Sequence, residues 1–237
     1  MLGVNVVLTL GLAAMGSAVP LSSRQAPNYP PTQKSTGFRL VANVTDSSKD
    51  LSPSVHGWVF TGFHTGAGFN EAVVTDEVES GRIFYQNGTA EEIRARRGAT
   101  LTDGGSPPNP WGIGIQEDSE GPEAPVNVNV GGGTKGAQLT VHPEPLSYLT
   151  GTAPGTYAIC PREVPYYQQV FNVIRWTNDV FNDDTAQYES TVPDDCVAVR
   201  FLAQCAELPE LPEGSQSSHE FAANSQCYED VSAIEWS

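Results

Sequence analysis

The chain has 237 residues, with 28 Asp+Glu against 12 Lys+Arg, a formal net charge of −16, and 23 Gly and 18 Pro. Its 39% hydrophobic content is too high for a fully disordered chain. The acidic balance argues against a counterion-displacing nucleic-acid binder and equally against docking on anionic lipid, and the length fits one domain with tails.

Residues 1–18 have the layout of a secretory signal peptide. Val4 to Met15 form an uncharged apolar run, followed by the small residues Gly16-Ser17-Ala18. The alternative, a single-span anchor, is disfavoured because the run falls short of the ~20 residues a bilayer needs. No later segment is long and apolar enough to span, and the final residues YEDVSAIEWS carry charges where a lipid-anchor signal is hydrophobic. The expectation is an exported chain, extracellular or associated with a cell wall, with no membrane partner. Residues 19–36, rich in Pro, Ser, Gln and Thr, read as a flexible, disordered leader.

From Gly37 the pattern has period 2. Phe38, Leu40, Ala42 and Val44 share one face, and Arg39, Asn43 and Thr45 the other, as in a half-buried strand. Similar runs follow at His56–Phe63, Asn70–Thr75, Arg82–Gln86, Glu92–Arg96, Gly112–Gln116, Val126–Val130, Ala137–His142, Thr156–Cys160, Val170–Trp176 and Cys196–Gln204. Asn87-Gly88, with strand-like residues on both sides, reads as a two-residue hairpin turn. Only Val164–Val170 and Asp179–Tyr188 resemble helices. Many short strands bounded by turn residues predict an all-β domain over 37–206, an antiparallel β-sandwich or partly closed barrel of about ten short strands. Residues 207–237 read as an acidic tail tethered by a disulfide.

The cysteines are Cys160, Cys196, Cys205 and Cys227, and no C-x₂₋₄-C pair suggests zinc. An even count in an exported chain implies two disulfides. Cys196 and Cys205 bound one strand-like run and would lie roughly 30 Å apart at 3.3 Å per residue, too far to bond to each other. Cys160–Cys196 with Cys205–Cys227 is the favoured pairing, and free catalytic thiols are the weaker alternative. Asn43-Val44-Thr45 and Asn87-Gly88-Thr89 are glycosylation sequons, and the first is expected on the polar face of its strand.

Three segments taken together, GFRLVANVTD, IFYQNGTAEEI and the pair YAICP with DDCVAVRF, resemble a family of small secreted fungal proteins known only as a domain of unknown function. A weaker similarity links them to phialide-associated cell-wall proteins of filamentous fungi, which share a strand ending in Cys-Pro and a later Cys opening a strand. The resemblance covers roughly residues 37–206 and implies the fold and an extracellular setting. It implies no catalytic residue.

The residues themselves carry little chemistry. His56 and His64 have an even separation that would put them on one face of a strand, but no carboxylate or Cys accompanies them at matching spacing, so ordinary histidines are the simpler reading. Asp183-Asp184 and Asp194-Asp195 are adjacent pairs, whereas a glycosidase needs two carboxyls facing across a sugar. Gly131-Gly132-Gly133 lacks the following helix that would hold phosphate and reads as a hairpin loop. Arg94-Ala95-Arg96-Arg97 is either a processing site or a charged strand shielded by acidic neighbours. Trp111, Tyr166 and Tyr167, beside prolines, are the candidates for stacking on a sugar. No catalytic residue, cofactor or metal is predicted. The expected function is that of a secreted, glycosylated, non-catalytic protein of the cell wall or medium, with wall polysaccharide or other wall proteins as partners. A carbohydrate-binding module or divergent glycosidase is the alternative.

Overall fold

The computed structural model describes residues 30–116, 121–141 and 147–235. The expected signal peptide, most of the expected leader and His142 lie outside the described residues.

The strands, in chain order, are β1 (Thr32–Ser35), β2 (Gly37–Val44), β3 (Val59–Gly66), β4 (Phe69–Thr75), β5 (Phe84–Asn87), β6 (Ala99–Gly104), β7 (Asn109–Ile115) and β8 (Ala124–Val130). They continue with β9 (Gly155–Val164), β10 (Gln169–Asn178), β11 (Val180–Asn182), β12 (Gln187–Glu189), β13 (Val197–Ala206), β14 (Ala222–Ala223) and β15 (Ser225–Tyr228). Neighbours in sequence mostly pair antiparallel, and three further pairings close the sheet on itself. β13 pairs β2 from Val199↔Val44 to Ala206↔Gly37, β9 pairs β13, and β2 meets β5 at Phe38↔Phe84. The result is a nine-stranded closed barrel with additional strands. Of the two expected architectures, the barrel is the one formed, and closure leaves few free edges.

The interior follows from the period-2 pattern. Phe38, Leu40 and Ala42 from β2 meet Phe60, Phe84, Ile113, Val126, Val128, Ile159, Ile174 and Phe201 from other strands, all almost wholly buried. The Phe60 ring lies 5.3 Å from Phe84 and 5.1 Å from Phe201, and Tyr157 lies 4.8 Å from Trp176. Each buried side chain contributes about 1.5–3 kcal/mol.

β2 is not half-exposed as its alternation suggested. Val41, Val59 and Leu202, on the outer face, are covered by Tyr228, Val231 and Ile234 from the acidic tail. The tail is therefore an outer layer of the fold, and β15 pairs with β1 from Thr32↔Tyr228 to Ser35↔Ser225. Thr32–Ser35 falls within the expected disordered leader, and its Thr-Gln-Lys-Ser sequence shows no apolar alternation. It becomes a strand because β15 offers it a free edge.

Both disulfides form as favoured. Cys160–Cys196 spans the β9–β13 pair with Cα atoms 4.4 Å apart, and Cys205–Cys227 ties β13 to β15 at 5.1 Å.

Five local expectations are corrected. Asn87-Gly88 is not a two-residue hairpin, and Glu92–Arg96 is not a strand, because the α1 helix (Ala90–Arg94) lies between β5 and β6. It begins with a capping box in which Thr89 and Glu92 satisfy each other's backbone N–H groups. The Ala137–His142 run forms only a single bridge, Leu139↔Leu149. Val164–Val170 is the tight turn between β9 and β10, and Asp179–Tyr188 holds the β11–β12 hairpin rather than a helix.

The glycine run 131–133 is also more than a hairpin loop. It folds back against β7, where the backbones of Gly112 and Gly133 approach so closely that a Cβ on Gly112 would overlap the Gly133 main chain. Only two residues without side chains permit this contact. Gly112→Ala is expected to destabilise the protein at the upper end of the ~1–3 kcal/mol typical of overpacking. The midpoint of urea unfolding measures this.

Candidate functional site

Tyr166 and Tyr167 occupy the β9–β10 turn after Pro165. Tyr167 and Gln168 N–H groups both donate to the Val164 carbonyl at 3.0 Å, so the turn holds both rings in place. Tyr166 is 58% exposed and Tyr167 37%. Their rings meet edge to face at 5.0 Å. Tyr166 also leans on His64 at 5.8 Å, and Tyr167 on Phe171 at 5.5 Å and Phe63 at 6.2 Å. The Tyr167 hydroxyl donates to the His64 carbonyl at 2.7 Å. Beneath them, Phe63 and Phe171 touch at 5.0 Å and pack on the buried cluster of Val73, Val173 and the Cys160–Cys196 bridge. The whole is a fixed aromatic ledge with Tyr166 outermost. Tyrosine offers a large apolar face at low conformational cost, with a hydroxyl for orientation.

Trp111, the third stacking candidate, is not part of it. It is 9% exposed and belongs to the barrel interior. The neighbouring prolines suggested a loop, but β7 alternates Trp111, Ile113 and Ile115 inward. Its ring lies 5.7 Å from the guanidinium of Arg82.

The two sequons differ. Asn43 is 4% exposed, against its expected place on a solvent face. The segment linking β2 to β3 folds back along this face, with Gly57 N–H donating to the Ala42 carbonyl at 2.8 Å and Val44 N–H to His56 Nδ1 at 3.3 Å. Asn87 is half-buried at the end of β5, and its sequon partner Thr89 is the cap of α1. The Thr89 hydroxyl accepts from Glu92 N–H at 3.2 Å.

The carboxylates form no facing acidic pair around a cleft among the contacts of the described residues. Glu123 receives two hydrogen bonds from Arg162, at 2.9 and 3.0 Å, and Asp195 two more, at 2.6 and 3.1 Å. Glu71 pairs with Arg175. Asp183 and Asp184 lie exposed at the tip of the β11–β12 hairpin, where Asn182 Oδ1 accepts from Asp184 N–H at 2.9 Å. The Arg162 hydrogen bonds hold the Asp195 carboxyl below its ordinary value of 3.8. A depressed folded pKa contributes stability above the unfolded value, which is lost as the pH falls through the folded one. Arg162→Met is therefore expected to flatten the pH dependence of the unfolding midpoint below about pH 4, and an unchanged acid limb contradicts the assignment.

Among the described residues, the one group spaced to hold a metal is Glu123, Cys160 and Cys196, and its two sulfurs are bonded to each other. His56 and His64 do not share a strand, since His56 precedes β3 and hydrogen-bonds to β2. Arg94 to Arg97 form an exposed helix end and turn, rather than a shielded strand, with Arg96 donating to the Gly151 carbonyl at 3.1 Å.

Tyr166 and Tyr167 were legible beside Pro165. Their support was not. Phe63, His64 and Phe171 read as ordinary strand residues, and only pairing across distant strands brings them together.

A family model described as a domain of unknown function (DUF7907) matches residues 35–205. The chain is 44% identical over 224 residues, 93% of its length, to "Antigenic protein SchS34" of Stachybotrys chartarum, covering 98% of that protein. No solved structure matches. The resemblance seen in the strand and cysteine segments thus holds at full domain length, and the chain belongs to the DUF7907 family of uncharacterised fungal proteins.

Proposed function

We propose that this protein acts outside the cell as a non-catalytic protein, and that it engages its partner through the Tyr166–Tyr167 ledge. Two disulfides fit an oxidising compartment, and no helix among the described residues is long and apolar enough to cross a membrane. The carboxylates of the Glu123–Asp195 cluster are each held by Arg162, which favours a structural role for them over acid–base work. The observation that carries the reading is the outermost ring of the ledge: Tyr166 packs edge to face on two rings, His64 and Tyr167, and is still 58% exposed.

Wall polysaccharide is the partner class this ledge favours, since a fixed aromatic face suits the C–H face of a sugar ring. Co-sedimentation with insoluble chitin and with β-glucan tests it. Wild-type protein is expected in the pellet with one of them, and Tyr166→Ala in the supernatant. Failure to sediment with either removes the polysaccharide reading, and equal retention of the variant removes the ledge from it.

A further inference from the structure

A second site lies away from these tyrosines. A surface cavity of about 420 Å³, within the range of small-ligand sites, is lined by residues that include Arg39, Arg82 and the segment Leu208–Pro212. Its lining combines Arg39 and Arg82 with the apolar Ile83, Leu208 and Leu211 and the adjoining prolines. Three N–H donors in this region are buried without any hydrogen-bond partner: Arg39 Nε, Arg82 Nε and Trp111 Nε1. Trp111 is 9% exposed. Gly104 packs closely on both Trp111 and Arg82, since a Cβ there would lie 3.0 Å from Trp111 Nε1 and 3.4 Å from Arg82 Nη1.

Although Glu79, Asp103 and Glu210 also line the cavity, they do not pair the buried arginine. Among the described residues Arg82 has no carboxylate at ion-pair distance, and Arg39 has only Glu79, at 3.6 Å and 94% exposed, a pairing of little strength. Two other acids face the cavity. Asp103 is already engaged by His219 at 2.7 Å and by the Tyr85 hydroxyl at 3.4 Å, and Glu210 is exposed. Burial also pushes the Arg82 guanidinium below its usual value. In a chain of net charge −16, a half-buried arginine without a counterion is costly unless a ligand supplies the charge.

We infer that this cavity binds a small organic carboxylate with an apolar body, its carboxylate on Arg82 and Arg39 and its body against the Leu208–Pro212 wall. The planar guanidinium matches a carboxylate through two hydrogen bonds, and the leucine and proline wall would be wasted on an inorganic anion.

Isothermal titration of the protein with octanoate, octanol and sulfate tests the inference. Octanoate is expected to bind at least about tenfold more tightly than octanol, which lacks the charge, or sulfate, which lacks the body. Arg82→Met is expected to weaken octanoate about tenfold to a hundredfold, the scale of one or two charge-assisted hydrogen bonds. Arg39→Met, at the more exposed rim, is expected to weaken it about tenfold and serves as the variant arm if Arg82→Met does not fold. Absence of octanoate binding, equal binding of octanol or sulfate, or octanoate affinity unchanged in a folded variant overturns the proposal. None of these outcomes bears on the tyrosine ledge.

Discussion

Phe201→Ala is expected to destabilise the protein by about 3–5 kcal/mol, the range for deleting a buried aromatic ring from a close-packed core. Phe201 is wholly buried, and it joins two groups of rings. Phe60 lies 5.1 Å away on one side and Tyr157 5.7 Å away on the other. It sits on β13, the strand that pairs with β2, β9 and β15 and so closes the barrel. A cavity here separates side chains that no single neighbour can bring together again. The measurement is the urea midpoint at unchanged m-value. A loss below about 1 kcal/mol would mean that the interior collapses around the gap, which a closed barrel with fixed strand register resists.

Replacing Cys205 and Cys227 together by Ser is expected to cost about 3 kcal/mol, the loop-closure value for a bridge spanning 22 residues. The loss has a particular location. The bridge fastens β15 to β13, β15 holds β1, and the segment after β15 places Val231 and Ile234 on Val41 and Leu202. Freed of the bridge, the tail is expected to open before the barrel does, as a weaker cooperative unit. Limited proteolysis of the double variant should cut first beyond residue 206 and leave the barrel fragment intact. Cutting first within the barrel strands would contradict the layered arrangement.

Much of the barrel was readable because alternation is strong wherever one face meets the core. β4, β8, β10 and β13 emerge close to their expected bounds for this reason. The misreadings share a cause. β2 is expected to have a wet face, but Val41 is covered by the C-terminal segment and Asn43 by the connection to β3 that folds back over it, and no local pattern records either. β6 lies outside the expected strands because Thr100 and Thr102 look polar, although both are buried and the Thr100 hydroxyl donates to the Ala137 carbonyl at 2.8 Å. At Asn87-Gly88 two local signals compete, a hairpin turn and the capping box Thr89-x-x-Glu92, and the capping box wins because it satisfies backbone donors at once. In the candidate site, Pro165 correctly marked the tyrosine turn but the prolines around Trp111 did not mark a loop. The Arg39–Arg82 pair left no sequence signal, since isolated arginines, one on β2 and one just before β5, look alike whether solvated or buried.

We propose that this fold binds a partner outside the cell without catalysing a reaction. Incubating the protein with an insoluble wall preparation containing chitin and β-glucan tests it most directly, with the pellet assayed for protein and the supernatant for soluble sugar. Protein is expected in the pellet, retained through Tyr166, with no soluble sugar above a protein-free control. Soluble sugar that accumulates with time and scales with protein concentration would contradict it.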